Sequence, residues 1–341
     1  MNKVLITDPI DQSGIDILSQ VAQVDQKIGI SESDLAAIIQ DYDALMIRSG
    51  TQVTGQIINS SKNLRIIGRA GVGVDNVDVK AATQKGVLVV NSPGGNTIAA
   101  AEHTIAMMLA LSRNIPIANS SMFEGKWERK KFVGNELFKK KLGVVGLGKI
   151  GTHVAKVANA MGMEVLGYDP FVSNERAQQL QVKLSELDIL FQDSDYVTLH
   201  LPRTVETENL VDNKVLKSMK NTAKLINCAR GGIIDEEALA EALNNSLIGG
   251  AAIDVYSEEP LNANSPLLKV EKNLILTPHL GASTKEAQEN VAIDVAEQIR
   301  DVLLGLSART AVNIPGLSPD IMDSLKPHLQ LAETLGLLIS Q

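Results

Sequence analysis

Through the first 97 residues short apolar runs recur: VLI at 4–6, ALMI at 44–47, LRIIG at 64–68 and VLVV at 87–90. Between them lie stretches with helical spacing of apolar positions, such as SESDLAAIIQ at 31–40. Apolar runs this short read as buried strands, and strands alternating with helices at this spacing predict parallel βα units. TIAAAEHTIAMMLAL, at 97–111, then has neither Gly nor Pro and is apolar at almost every position. That predicts a helix covered on most sides, by layers of its own fold or by a second subunit. A second alternating series follows, with KLGVVGLGKIG from 141, EVLGYD at 164–169, DYVTLHLP at 195–202, AKLINC at 223–228, GGAAIDV at 249–255 and NLILTPH at 273–279. These are six strand candidates. The helical stretch 284–304 has no strand partner in that series and is expected to return to the first one. After ARTAVNIPGLSP, an amphipathic stretch from 320 runs to 341 without a stop signal, so the chain is expected to be cut off there.

A length of 341 residues exceeds one ordinary core, and at ~100–200 residues per domain two domains are expected. Hydrophobic residues make up 44% and aromatics only 3%, a palette of Ala, Val, Ile and Leu that suits buried parallel strands. The net charge of −8, with KWERKK and FKKKL as the only dense basic tracts, argues against nucleic acid and acidic membrane surfaces. The lone Cys228 can form no internal disulfide, MNKVLITDPI lacks the form of a signal peptide, and IAMMLAL is too short to span a membrane. A cytoplasmic protein without membrane contact is expected.

GLGKIG at 146–151 fits G-x-G-x-x-G, which alone is weak in a chain with 26 glycines. Its setting strengthens it: LGVV precedes, the helical pattern THVAKVANAMG follows, and Asp169 comes at the ~20-residue distance of a ribose-binding acid. Gly146, Gly148 and Gly151 would allow a tight turn, close approach to a pyrophosphate and close helix packing. No Arg follows Asp169 closely, so NAD is favoured over NADP.

Arg230 ends the fourth strand of this series before Gly231 and Gly232, with Asp235 placed to cap a following helix. A surface salt bridge is the ordinary reading of such an arginine. At the carboxyl edge of a parallel sheet, however, its fork of donors can hold a carboxylate and polarise a carbonyl. His279 ends another strand, and imidazole, with its intrinsic pKa of ~6.5, suits proton transfer in ketone reduction. Glu259, after the strand before it, can orient that imidazole or simply face solvent. Asp254 reads equally as a cofactor contact or as a buried capping group. Cys228 reads as a small packing residue, with a nucleophile left open. Five scattered histidines, without C-x-x-C or H-E-x-x-H, give no metal site, and no G-x-S-x-G elbow appears.

GLGKIG, YDP, INCARGGIIDEEAL, AAIDVYSEEP and TPHLGAST, in this order and spacing, resemble the D-2-hydroxyacid dehydrogenase family. MIRSGTQVT, GRAGVGVDNVD, NSPGGNTIAAAEHTIAMMLAL and GKWERKKFVGNEL look like its members that act on 3-phosphoglycerate, and the likeness covers nearly all of residues 1–308. It implies an α/β fold with two parts. One is a Rossmann-type NAD domain over 98–282, and the other a smaller flavodoxin-like α/β substrate domain built from 1–97 and 283–308. The tail 309–341 resembles the start of a C-terminal regulatory region, so serine feedback is expected to be absent from residues 1–341.

By the same resemblance Arg230 binds the substrate carboxylate, His279 is the acid/base and Glu259 its partner. NAD contacts fall on Gly146, Gly148, Lys149, Ile150, Gly151, Asp169, Leu201, Pro202, Cys228, Ala229, Arg230, Asp254, His279 and Gly281. Contacts to a small anionic substrate fall on Arg48, Ser49, Val72, Gly73, Asn96, Arg230 and His279, with Arg129 reaching a phosphate from a neighbouring subunit. The implied reaction is NAD-dependent oxidation of 3-phospho-D-glycerate to 3-phosphohydroxypyruvate, which opens serine biosynthesis. A homodimer through the 97–123 helical region is implied, leaving dimer or tetramer open for a full-length protein. Two other readings stand beside it: a glyoxylate or hydroxypyruvate reductase of the same family, and an NAD-sensing binding protein like the corepressors on this fold.

Overall fold

A computed structural model of the chain describes residues 1–314 and scattered positions between 325 and 338. The amphipathic tail stretch expected from 320 lies outside the described residues, apart from those positions. The chain forms two compact units, Met1–Gly95 together with the chain from Gln288 on, and Asn96–Ala287.

Among the described residues the first unit holds five strands: β1 (Asn2–Ile6), β2 (Ala22–Gln26), β3 (Ala44–Ile47), β4 (Ile66–Arg69) and β5 (Leu88–Asn91). They pair in parallel in the order β2-β1-β3-β4-β5, a flavodoxin-like arrangement. Leu5, Leu45, Ile47, Ile67 and Val89 are buried on one face. Val4, Ile6, Met46, Ile66 and Val90 are buried on the other, against Val291, Val295 and Ile299 of the helix Lys285–Leu303. Both faces are covered, which is why these strands read as unbroken apolar runs. The segment just past 308 lies along β5: Ala311 bridges Val90, the Thr310 hydroxyl donates to the Asn91 carbonyl at 2.6 Å, and Asn313 Oδ1 accepts from Val89 N–H at 2.9 Å. The start of the expected tail is thus tied to this sheet, because the edge strand has backbone groups to satisfy.

The second unit holds β6 (Lys141–Val145), β7 (Glu164–Tyr168), β8 (Lys183–Leu184), β9 (Tyr196–Leu199), β10 (Lys224–Asn227), β11 (Gly250–Ile253) and β12 (Leu274–Leu276). All pairings are parallel, in the order β12-β11-β10-β9-β6-β7-β8, so the strand order reverses between β6 and β9. This is the doubly wound pattern with one strand added beyond the usual six, and such sheets bind ligands at the carboxyl ends beside the reversal. Ala101, Ile105, Met108 and Leu111 of the helix Thr97–Ser112 pack with Leu142, Val144, Ile226 and Ala252 on one face. Leu190, Phe191, Leu216, Leu239 and Leu243 cover Val145, Val197, Leu199, Leu225 and Ile253 on the other.

Two strands lie outside the sequence expectation. β2, AQVDQ, is an edge strand with one buried residue, and β8 is only two residues long. Neither buries enough apolar surface to leave a readable pattern. Among the described residues no helix is long and apolar enough to cross a membrane.

Candidate active site

The glycine loop follows β6. Gly146 has φ 95°, open to glycine but rarely to other residues, and a Cβ there would lie 2.5 Å from the His200 carbonyl oxygen. The chain then enters the helix Lys149–Ala160, whose cap at Gly148 carries no side chain over the first amides. Nothing lies within 4 Å of a Cβ built on Gly148, so the ground above the helix start is clear. Such a helix start offers backbone N–H groups and the positive end of its dipole to a pyrophosphate. Asp169, after β7, accepts from Leu147 N–H at 2.8 Å and from Phe171 N–H at 2.9 Å, tying the loop to the end of the neighbouring strand. A carboxylate has further lone pairs for ribose hydroxyls, so the donor and acceptor set fits a dinucleotide. Leu201 and Pro202 follow β9 on the same edge. His200 before them is pushed down to about 4 by burial and stays neutral, with its Nε2 3.0 Å from the Thr198 hydroxyl.

Arg230 leaves β10 through a turn shaped by Asn227. The Asn227 amide donates to the Arg230 carbonyl at 2.9 Å, and its Oδ1 accepts from Ala229 N–H at 3.0 Å. Arg230 Nη1 donates to the Ala229 carbonyl at 2.7 Å. Gly231 passes so close to the end of the next strand that a Cβ on it would run into the Tyr256 carbonyl. Asp235 caps the helix Glu236–Asn244 by accepting from Glu237 and Ala238 N–H, both at 3.1 Å. Glu236, in that helix's first turn, accepts from Ser257 N–H at 2.6 Å, which ties the segment carrying Glu259 to the Arg230 turn.

His279 and Glu259 meet directly, Nδ1 to Oε2 at 2.7 Å. The other carboxylate oxygen accepts from Tyr256 N–H at 3.0 Å, which fixes the carboxyl plane. Burial alone would raise the Glu259 pKa, but the His279 bond and the Tyr256 N–H outweigh it, and the group lies below its ordinary value. With Nδ1 engaged, Nε2 is the ring atom left to face a reactant. Both side chains remain partly open, 46% for His279 and 37% for Glu259, so an incoming molecule can reach them.

Asp254, at the end of β11, is fully buried and takes its donors from the loop that carries His279. Its carboxylate accepts from the Thr277 hydroxyl at 2.6 Å and from Leu280 and Gly281 N–H at 2.8 and 2.9 Å. His103 approaches it at 3.2 Å. Cys228 lies beside this group, its thiol pushed up to about 12 by burial and by the Asp254 charge, so it packs as a protonated side chain. His103, Cys228 and Asp254 bring three ligand-type atoms within 4.8 Å. An uncharged thiol and a carboxylate already taken by loop donors suit a hydrogen-bonded cluster better than a cation. Asn227, Tyr256, His103 and Thr277 lie inside stretches that carry the family resemblance, but none of them is a residue to which the resemblance assigns a role. The one local signal available for any of them is turn chemistry, an Asn two residues before Ala229.

In the first unit Arg48 and Ser49 follow β3, and Val72 and Gly73 follow β4. The buried Asp8 carboxylate accepts from Arg48 N–H at 2.6 Å and Thr51 N–H at 3.2 Å, and the Asn76 amide donates to the Arg48 carbonyl at 2.7 Å. The Asn91 amide donates to the Val72 carbonyl at 2.5 Å. Asn96 begins the second unit as the cap residue of the helix Thr97–Ser112, and Arg129 lies in the short 3-10 helix Arg129–Phe132, which has no buried residue.

The profile of the D-isomer specific 2-hydroxyacid dehydrogenase NAD binding domain matches residues 105–281. A D-3-phosphoglycerate dehydrogenase of Synechocystis sp. is 63% identical across the whole chain, which spans 61% of that protein. One from Archaeoglobus fulgidus is 49% identical over 99% of the chain and 64% of its own length. A solved protein of Thermus thermophilus superposes with a TM-score of 0.84 at 31% identity, covering 91% of this chain and 99% of that one. The chain thus spans about three fifths of the curated relatives it matches. With a glycine loop, a reversing parallel sheet and these likenesses in agreement, the chain belongs to the D-isomer specific 2-hydroxyacid dehydrogenase family and contains its NAD-binding domain.

Proposed function

We propose that the protein oxidises 3-phospho-D-glycerate to 3-phosphohydroxypyruvate, the step that opens serine synthesis. The observation that carries this reading is the His279–Glu259 pair at 2.7 Å, on the carboxyl edge of adjacent strands that also carry Arg230. NAD, when bound, supplies a hydride acceptor. Arg230 holds the substrate carboxylate and orients C2, while His279 Nε2 takes the proton of the C2 hydroxyl as the hydride leaves. Glu259 keeps the ring turned and stabilises the imidazolium that results. The names of the curated relatives support 3-phosphoglycerate as the substrate. Arg48, Ser49, Val72 and Gly73 give the first unit the part of a substrate-binding domain, with Asn96 and Arg129 as further contacts.

A homodimer through 97–123 is part of the same reading. Ile98 is 52% exposed, Ile117 53% and Phe123 86%, apolar side chains that a second copy would cover. A cytoplasmic site of action belongs to it as well, in keeping with the net charge of −8 and the single cysteine.

The reading is tested by following NADH absorbance with 3-phosphohydroxypyruvate against glyoxylate, pyruvate and hydroxypyruvate. A preference for the phosphorylated acid is expected, and equal efficiency across the panel would remove the phosphate pocket. His279→Gln should lower kcat by about 10²–10⁴ while NADH still binds.

A further inference from the structure

His103 stands out on the helix Thr97–Ser112 as an ionisable side chain turned inward, 19% exposed, among Ala99, Ala100 and Met107. Packing alone would favour an apolar residue there. Its Nε2 lies 3.2 Å from Asp254 Oδ1 and 3.4 Å from the Thr277 hydroxyl oxygen. The Thr277 hydroxyl donates to that same Oδ1, so an Nε2–H on His103 can be shared between the two oxygens.

Asp254 in turn governs the backbone around His279. His279 has φ 55°, in the left-handed region that side chains with a Cβ rarely adopt. Its N–H donates to the Asp254 carbonyl at 2.8 Å and to the Thr277 carbonyl at 3.0 Å. The next two amides, of Leu280 and Gly281, donate to the Asp254 carboxylate. The histidine is therefore held in an unfavourable backbone conformation by one buried residue, which binds it before, at and after its own position. What keeps Asp254 in place from the helix side is His103. The other polar groups around this carboxylate are the Cys228 thiol after β10, the Thr277 hydroxyl after β12, and the Tyr256 hydroxyl and Glu259 carboxylate after β11.

We infer that His103 is a positioning residue of the reaction: through Asp254 and Thr277 it fixes the loop 277–281 and so aims the His279 imidazole. The inference rests on the reading of His279 as acid/base. Replacing His103 by an apolar residue leaves the buried carboxylate with one donor fewer and lets the loop relax toward ordinary backbone angles. A displacement of about 1 Å at a reacting atom costs roughly 10²-fold in rate.

The test measures keto-acid reduction by the full chain. His103→Leu should lower kcat about 10–100-fold, with the KM for the keto acid little changed and any loss of NADH affinity much smaller than the loss of kcat. Its kcat should also depend on pH differently from the parent, since the ring is no longer held against Glu259. His103→Gln, whose amide N–H can meet the same oxygen, should recover most of the loss. Thr277→Val removes the second donor to Oδ1 and should shift kcat in the same direction, which keeps the test open should His103→Leu not fold. Parent-like kcat in His103→Leu, a loss confined to KM or NADH affinity, or a His103→Gln variant as slow as His103→Leu would each overturn the inference. His279→Gln is run alongside. If it retains turnover, the acid/base reading fails and takes this inference with it; if it is inactive while His103→Leu is fast, only the role of His103 falls.

Discussion

Asp254 is a charge without water, held by donors from three directions. Burial raises its pKa most, but the bonds from His103, Thr277 and Leu280 N–H together outweigh it and hold the group below its ordinary value. A carboxyl group depressed in the folded state contributes stability that is present above its unfolded pKa of ~3.9 and is lost as pH falls through the lower folded value. Asp254→Asn, which turns an amide toward N–H donors, should cost about 1–3 kcal/mol near neutrality. Thermal denaturation from pH 7 downward checks this. The gap between parent and variant should be constant at higher pH and close only below the usual aspartate range; a gap that widens on acidification contradicts the account. Arg230, Glu259 and His279 could be picked out as candidates because each has a residue type suited to the chemistry and follows a strand of the second sheet. The partners of Asp254 could not. His103 sits in an apolar stretch that reads as packing, and its contact joins positions far apart in the chain. Asp254 itself was left between two readings, and its fully buried loop contacts show why residue type alone could not decide.

At the scale of elements, the loops after neighbouring strands are tied to one another beyond the sheet itself. The Arg230 turn touches the Tyr256 segment through Gly231 and is cross-tied by Glu236 to Ser257. Gly231→Ala should therefore push the two turns apart and move the guanidinium, raising the KM for the keto acid at least about tenfold. NADH affinity should fall by less than the KM rises, since the proposed cofactor contacts extend to the loop after β6. Steady-state kinetics beside NADH fluorescence titration separate the two, and equal loss of both would show that the turns do not move independently. The apolar runs revealed ten of the twelve strands among the described residues, since a strand buried on both faces is apolar throughout. β2 and β8 escaped because an edge strand with one buried residue and a two-residue strand have no period to detect.

On the scale of the whole molecule, each unit has its own sheet and its own apolar clusters. Ile299 is fully buried in the first unit alone. Ile299→Ala should destabilise by about 2–5 kcal/mol, while the NADH affinity of the second unit stays within about twofold of the parent. Denaturant unfolding with and without NADH measures both, and a matching fall in affinity would contradict the assignment of this helix. The helix was foreseeable as a segment with no strand of its own to accompany. The pairing of 310–313 with β5 was not, because a single bridge and a few backbone bonds leave no mark on hydropathy.

That late helix also sets an order of events on the ribosome. The first sheet leaves the exit tunnel early, yet Val291, Val295 and Ile299, which seal one of its faces, are translated only after β12 of the other unit. Domains generally fold as they emerge, N-terminal first. Here the nascent chain reverses that rule, since the part made first must wait with an oily face uncovered until the part made second is complete. That face is expected to stay uncovered in the interval, and slow codons after β5 would lengthen the exposure.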